Sequence, residues 1–108
     1  MIFRDSNPPE DSDLFEERSK EEVIAAVDEF TDKVWYNRHQ DAKIAIEEGR
    51  EEVDPQIWRD ALKNAKKMED KYGLDNLGPY DDFEWGMVNG KLSALRWLFG
   101  FEWDMLDT

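Results

Sequence analysis

Apolar residues recur at intervals of three and four along most of this chain, and that period restricts the fold more than any other feature. Val23, Val27, Phe30 and Val34 are spaced by four, three and four residues, which places them on one side of an α-helix. No window alternates apolar and polar residues in the way that a half-buried strand does. The sequence therefore predicts an all-α fold.

Residues suited to helix ends divide the first two-thirds of the chain into two predicted helices. The first begins at Ser19, which opens a capping box, and runs to Glu48 either unbroken or with a kink near Asn37. The second has Asp54 as its N-cap and Gly73 as a left-handed C-cap. Its apolar residues cover one arc, and lysine and arginine cover the opposite side.

A third predicted helix starts at Asp81 or Asp82, ends at Gly100 and has two apolar rows. One row holds Phe83, Met87, Ala94, Trp97 and Leu98, and the other holds Trp85, Val88, Leu92, Leu95 and Phe99. A helix that is apolar on two sides is expected to pack on two sides. We therefore expect this helix to be central, with Trp97 in the core and Gly90 at a close helix crossing.

The segments outside these helices complete the predicted architecture. Residues 1–18 are polar and contain two prolines, which is typical of an extended leader. Residues 19–108 form a single helical domain, and the aromatic C-terminal tail is expected to dock on it.

The formal net charge of -13 restricts the partners of this chain. Binding to a phosphate backbone or an anionic membrane needs positive charge at the contact, so direct nucleic-acid or membrane binding is not expected. A basic partner is compatible with this charge. The chain has no cysteine, which excludes a disulfide framework and a cysteine nucleophile and is typical of the reducing cytoplasm. No stretch approaches the roughly 20 apolar residues of a membrane span.

The sequence contains no recognisable catalytic or cofactor motif. His39 is the only histidine, so neither a zinc-binding H-E-x-x-H motif nor a pair of Glu-x-x-His motifs is possible. A metal site made only of carboxylates could be drawn from Glu47, Glu48, Glu51 and Glu52, but such a run is typical of a solvated helix end. We therefore predict no catalytic residue, no metal and no cofactor.

Four polar residues stand out because they lie at apolar positions of the predicted helices. Asn37 and Asp41 extend the apolar stripe of the first helix, and Lys91 and Arg96 are the only basic residues in the last 35 positions. A buried polar or charged group needs a partner. These residues predict a polar cluster in which Asp41 lies near Lys91 or Arg96. The alternative is salt bridging at the rim of the domain.

A second candidate site is a contact surface around Trp35, Tyr36 and Arg38, with Trp103 in the tail. Tryptophan, tyrosine and arginine are enriched at binding hot spots. Adjacent helical positions point about 100° apart, so these side chains are not all buried together. We expect Trp35 to pack and Tyr36 and Arg38 to point outward.

The C-terminal segment resembles that of a group of small bacterial and phage proteins. The resemblance is carried by the run from Phe83 to Trp97, FEWGMVNGKLSALRW, and by the ending EWDMLDT from Glu102 to Thr108. It covers about the last 35 positions, and it implies no activity, cofactor or site residue.

These observations favour a small, acidic, non-enzymatic helical protein that acts by binding another protein, as an adaptor, regulator or inhibitor. An acidic mimic of nucleic acid that blocks a DNA- or RNA-binding protein is the alternative. A small enzyme or metal binder that uses carboxylates is a third hypothesis. The apolar area of the third helix and the tail also makes a homo-oligomer plausible.

Overall fold

The structure, a computed structural model, describes residues 16–103 and consists of three helices. Helix α1 spans Lys20–Glu47, α2 spans Pro55–Tyr72 and α3 spans Asp82–Leu98, with a short 3-10 turn at Leu74–Asn76 between α2 and α3. The part of the chain that the structure describes contains no strand. The predicted all-α fold is therefore confirmed, whereas most of the predicted leader and the last five residues of the tail lie outside the described residues.

Each helix begins at a side chain that satisfies its free amide groups. The Oγ of Ser19 accepts a hydrogen bond from the amide of Glu22 at 3.0 Å, and the Glu22 carboxylate accepts one from the Ser19 amide at 2.9 Å. Asp81 and Glu84 form the same reciprocal capping box at α3. Asp54 accepts two amide hydrogen bonds at the start of α2. These caps place the helix starts where the sequence predicted them.

Helix α1 is the central element of the fold. It packs against both α2 and α3, while α2 and α3 do not contact each other. Its 28 residues make it about 42 Å long, which is enough to support two partners. The expectation that the third helix would be central is therefore wrong, because only one of its apolar rows finds a partner helix.

Among residues 16–103 the buried apolar side chains form two small clusters and not one continuous core. The first joins α1 to α2 and to the connection after it, and consists of Tyr36, Ala65, Met68 and Leu77, with Trp35 and Tyr72 against them. The second joins α1 to α3, and consists of Val34, Val88 and Leu92, with Val27, Phe30, Tyr80 and Trp85 against them. The stripe predicted for α1 thus contacts α3, and α2 packs on a neighbouring side of α1.

The row of α3 that contains Trp97 lies on the outside of the molecule. Trp97 is 47% exposed and Phe83 is 76% exposed, so the prediction that Trp97 is in the core is wrong. No atom of another described element lies within 4 Å of a Cβ built at Gly90, so the predicted crossing with the first or second helix is also absent. The cause is the same in both cases, since α1 covers only the opposite side of α3.

The tail returns toward the helix end without being buried. The ring of Trp103 stacks on that of Trp97, with centroids 4.9 Å apart, but Trp103 itself is exposed. Within residues 16–103 no helix is both long and apolar enough to cross a membrane.

Candidate binding cleft

An open cleft of about 580 Å³ lies between the C-terminal half of α1 and the segment that connects α2 to α3. The first turn of α3 closes one end of it. Its walls contain three aromatic side chains, two amides and two carboxylates, together with apolar side chains such as Leu74. Its lining includes three of the residues that the sequence singled out on the first helix, Tyr36, Asn37 and Asp41, but neither Trp35 nor Arg38.

Asn37 fixes the connecting segment against α1. Its Nδ2 donates to the carbonyl of Lys33 at 2.8 Å, within the helix, and to the carbonyl of Leu77 at 2.9 Å, across the cleft floor. Leu77 is only 1% exposed, so its backbone is held at the edge of the first apolar cluster. A Cβ built at Gly78 would lie 2.5 Å from the Oδ1 of Asn37, so a larger residue at this position would have to displace that amide. The amide side chain thereby sets the shape of the cleft.

Three aromatic rings line the cleft, and the hydroxyl groups of the two tyrosines among them are hydrogen-bonded to other residues. The hydroxyl of Tyr36 donates to the carboxylate of Glu69 at 2.7 Å, and burial and this carboxylate raise the pKa of Tyr36. The hydroxyl of Tyr80 donates to the carbonyl of Asn76 at 3.0 Å. Trp85 completes this part of the lining. The fixed hydroxyls hold the rings in place, so the cleft offers ring surface to a ligand.

The charge of the cleft is negative. The carboxylates of Asp41 and Asp82 are part of the lining, and no lysine, arginine or histidine of residues 16–103 belongs to it. Neither Asp41 nor Asp82 takes part in an ion pair with another described residue. Aromatic rings beside unpaired carboxylates form a suitable environment for a cationic group.

The predicted polar cluster is only partly assembled. Asn37 and Asp41 share the cleft, but neither Lys91 nor Arg96 lines it, and neither forms an ion pair with Asp41. The Nζ of Lys91 lies 5.6 Å from the ring centroid of Phe30, on the other side of the α1–α3 contact. The expected pairing of Asp41 with a base on α3 is therefore wrong, because Asp41 faces the α2–α3 connection.

The predicted contact surface does not form one patch. Trp35 packs as expected, half-buried beside the first apolar cluster, and Arg38 is exposed as expected. Tyr36 is buried, contrary to the expectation that it would point outward, because its hydroxyl reaches Glu69 on α2. Trp103 lies at the C-terminal end of α3, against Trp97.

His39 occupies a site that the sequence analysis missed. Its ring lies between Trp35 and Trp58, with centroid distances of 4.9 and 4.8 Å, and it is only 6% exposed. Burial lowers the pKa of His39; nearby Lys43 lowers it further and Glu69 raises it. Because Trp35 and His39 are four residues apart on one helix, their contact could have been predicted from the sequence. The contact with Trp58 could not, because it depends on how α2 packs against α1.

Within residues 16–103 no group of three or more histidine, cysteine or carboxylate side chains is arranged to hold a metal ion. Comparison of the chain with protein-family models, with curated proteins and with solved structures found no match.

Proposed function

We propose that this protein is a non-enzymatic, cytoplasmic binding protein, an adaptor, regulator or inhibitor, which recognises a basic segment of another protein. The observation that carries the proposal is the cleft beside Asn37, in which Asp41 and Asp82 are unpaired among the described residues and no basic side chain is present. A lysine or arginine side chain fits this environment, since its charged end pairs with carboxylate and its stem packs on aromatic rings.

The composition of the whole chain supports the same class of partner. A net charge of -13 attracts basic proteins over distances of about a Debye length, roughly 8 Å at physiological salt, and speeds their encounter. Exposed Leu74 and half-buried Trp85 at the cleft add apolar contacts beside the carboxylates. A segment in which arginine or lysine alternates with leucine combines both kinds of contact.

The test is calorimetric titration with an acetylated and amidated decapeptide of arginine, leucine and glycine. The double variant Asp41→Asn, Asp82→Asn should bind about two- to thirtyfold more weakly, because both carboxylates are exposed and an exposed ion pair contributes about 0.2–1 kcal/mol. The double variant Glu51→Gln, Glu52→Gln is the matched control, since it removes the same charge from exposed positions outside the cleft. Equal weakening in both variants would contradict the assignment to the cleft.

The same two double variants, titrated with a basic DNA-binding protein, test the alternative of an acidic mimic of nucleic acid. A mimic binds through its overall charge, so its affinity for a basic DNA-binding protein should fall equally in the cleft variant and in the control. Duplex DNA should also compete with it for that protein. Cleft-specific loss without competition by DNA favours recognition of a basic segment.

A further inference from the structure

The outer face of α3 is an exposed apolar surface that no described helix covers, and only Trp103 of the tail stacks on it, at Trp97. Phe83, Met87, Trp97 and Leu98 lie within an arc of about 100° on the helix and are all exposed, Leu98 to 61%. Gly90 and Ala94 lie in the same arc and Gly86 lies about 20° beyond its edge, and no atom of the described residues lies within 4 Å of a Cβ built at either glycine. We call these seven residues the outer face of α3. It lies opposite the side of α3, with Val88 and Leu92, that packs on α1.

Most of this surface is also free of carboxylates, since six of its seven residues lie between Glu84 and Glu102, and only Phe83 has acidic neighbours, Asp82 and Glu84. Between Glu84 and Glu102 the chain has no acidic residue, and its only charged residues there are Lys91 and Arg96. The rest of the chain is strongly acidic, with a total charge of -13. The outer face of α3 is therefore a place where two copies of this chain can meet without opposing their carboxylates.

We propose that the outer face of α3 binds a second copy of this chain, with the two α3 helices antiparallel and crossing at Gly90. Gly90 is the midpoint of α3, which spans Asp82–Leu98. Phe83 precedes it by seven residues and Trp97 follows it by seven. A two-fold axis at Gly90 therefore places Phe83 of each copy at the level of Trp97 of the other.

The same axis matches the small residues of the face. Gly86 and Ala94 lie four residues on either side of Gly90, so each falls at the level of the other across the axis. Glycine at the crossing lets the two backbones approach closely, and the aromatic residues fill the space on both sides. The face is thus complementary to itself, which is the requirement of a two-fold interface.

The available area agrees with a dimer contact. A whole aromatic side chain presents about 150–250 Å², so Phe83 and Trp97 leave about 250 Å² uncovered, and the neighbouring Trp103 of the tail adds about 100 Å². Met87 and Leu98 add to this area. The largest apolar patch of a typical monomer is about 300–600 Å², and a standard interface buries about 800 Å² per partner. When a second copy packs on this face, the face supplies most of the apolar area of such an interface.

Disulfide trapping tests the geometry, since the chain has no cysteine of its own. Gly90→Cys puts one thiol on the proposed axis, where the two Cα atoms fall within the roughly 4.4–6.8 Å span of a disulfide. Mild oxidation at about 50 µM should convert most of this variant to a covalent dimer. Asp60→Cys, on the exposed side of α2, is the control and should stay largely monomeric. Equal cross-linking of the two variants would overturn the proposed crossing.

Sedimentation velocity tests the surface itself, without a cross-link. The parent chain should sediment as a dimer at about 100 µM and dissociate on dilution. The double variant Phe83→Glu, Trp97→Glu should raise the dissociation constant at least about tenfold. The control Ile57→Glu, Leu62→Glu changes two exposed apolar residues of α2 and should leave the dimer intact. Far-UV circular dichroism verifies that each variant is folded.

A parent chain that remains monomeric at about 100 µM overturns the proposal. The outer face of α3 would then be available to a different protein. The cleft beside Asn37 is lined by none of the seven residues of this face. Peptide binding in the cleft and dimer formation through α3 can therefore fail independently of each other.

Discussion

The hydroxyl of Tyr72 on α2 donates a 2.7 Å hydrogen bond to the carboxylate of Asp32 on α1. Tyr36 on α1 makes the reverse contact, donating to Glu69 on α2 at 2.7 Å. The two helices are thus joined by a reciprocal pair of tyrosine–carboxylate bonds. Burial is the main cause of a raised pKa for Tyr72, and the hydrogen bond to Asp32 is the second. The hydroxyl of Tyr72 therefore stays protonated and acts as the donor.

Tyr72→Phe should lower the free energy of unfolding by about 1 kcal/mol, because it removes a bond to a charged group that is only half-buried. Urea denaturation measures this change. A double-mutant cycle with Asp32→Asn should show coupling above about 0.5 kcal/mol. Tyr80→Phe is the control, since its hydroxyl bonds only to the carbonyl of Asn76 within the same connection. Purely additive effects of Tyr72→Phe and Asp32→Asn would mean that the bond does not stabilise the fold.

Gly78→Ala should destabilise the protein more than Gly49→Ala does. Both glycines have positive φ angles, so each substitution costs about 1–2 kcal/mol of backbone strain. Only Gly78 also faces close atoms, namely Oδ1 of Asn37 at 2.5 Å and the amide of Tyr80 at 3.1 Å. Thermal unfolding of the two variants provides the comparison. Equal losses in both would show that Asn37 yields to the new methyl group.

Leu92→Ala should cost about 2–5 kcal/mol, the usual range for a buried leucine, because Leu92 is 2% exposed between α1 and α3. Trp97→Ala removes a larger side chain but should cost less than about 1 kcal/mol when measured at a protein concentration below that of dimer formation. Trp97 contacts the tail through Trp103 and faces away from α1. The ratio of the two losses measures which side of α3 supports the fold, and a larger loss for Trp97→Ala would contradict this assignment.

The stability of the protein should decrease as the pH falls below about 6.5. The pKa of His39 is lowered in the folded state, so the unfolded chain, with an ordinary histidine pKa near 6.5, takes up its proton first. The contribution of neutral His39 is complete above pH 6.5 and is lost as the pH falls through the lower pKa of the folded state. The imidazole C–H resonance of this single histidine should titrate below 6.5 in the native protein and near 6.5 in concentrated urea. A native midpoint at 6.5 would mean that His39 makes no pH-dependent contribution, and one above 6.5 would reverse its sign.

The local structure could be predicted from the sequence because its causes lie within a few residues of each other. The capping box of Ser19 and Glu22 and the N-cap at Asp54 occur where the pattern placed them. Gly73 ends α2 with a positive φ of 85°, but its ψ of 141° lies outside the left-handed helical region, so the predicted left-handed C-cap is not formed. Both N-caps depend on hydrogen bonds or backbone angles inside one turn. No knowledge of helix packing is needed for these features.

The packing of the helices could not be obtained in the same way. Both rows of α3 are apolar, and nothing in the spacing of Phe83 or Val88 tells which row faces α1. That choice depends on contacts between residues far apart in sequence, such as the bond from Asn37 to Leu77, 40 residues away. The hydrogen bond from Asn37 to Leu77 also shapes the cleft. The sequence therefore marked Asn37 and Asp41 as unusual, but it did not show that Tyr80 and Asp82 line the same cleft.

The central position of α1 has a consequence for how the molecule opens. Since α2 and α3 each contact α1 but not each other, no contact between described helices joins the first apolar cluster, which contains Met68, directly to the second, which contains Leu92. Native-state hydrogen exchange should therefore resolve two opening units, with α2 and α3 losing protection at different free energies. The amides of α1 between Val34 and Tyr36 belong to both units, so they should exchange only when the whole molecule unfolds.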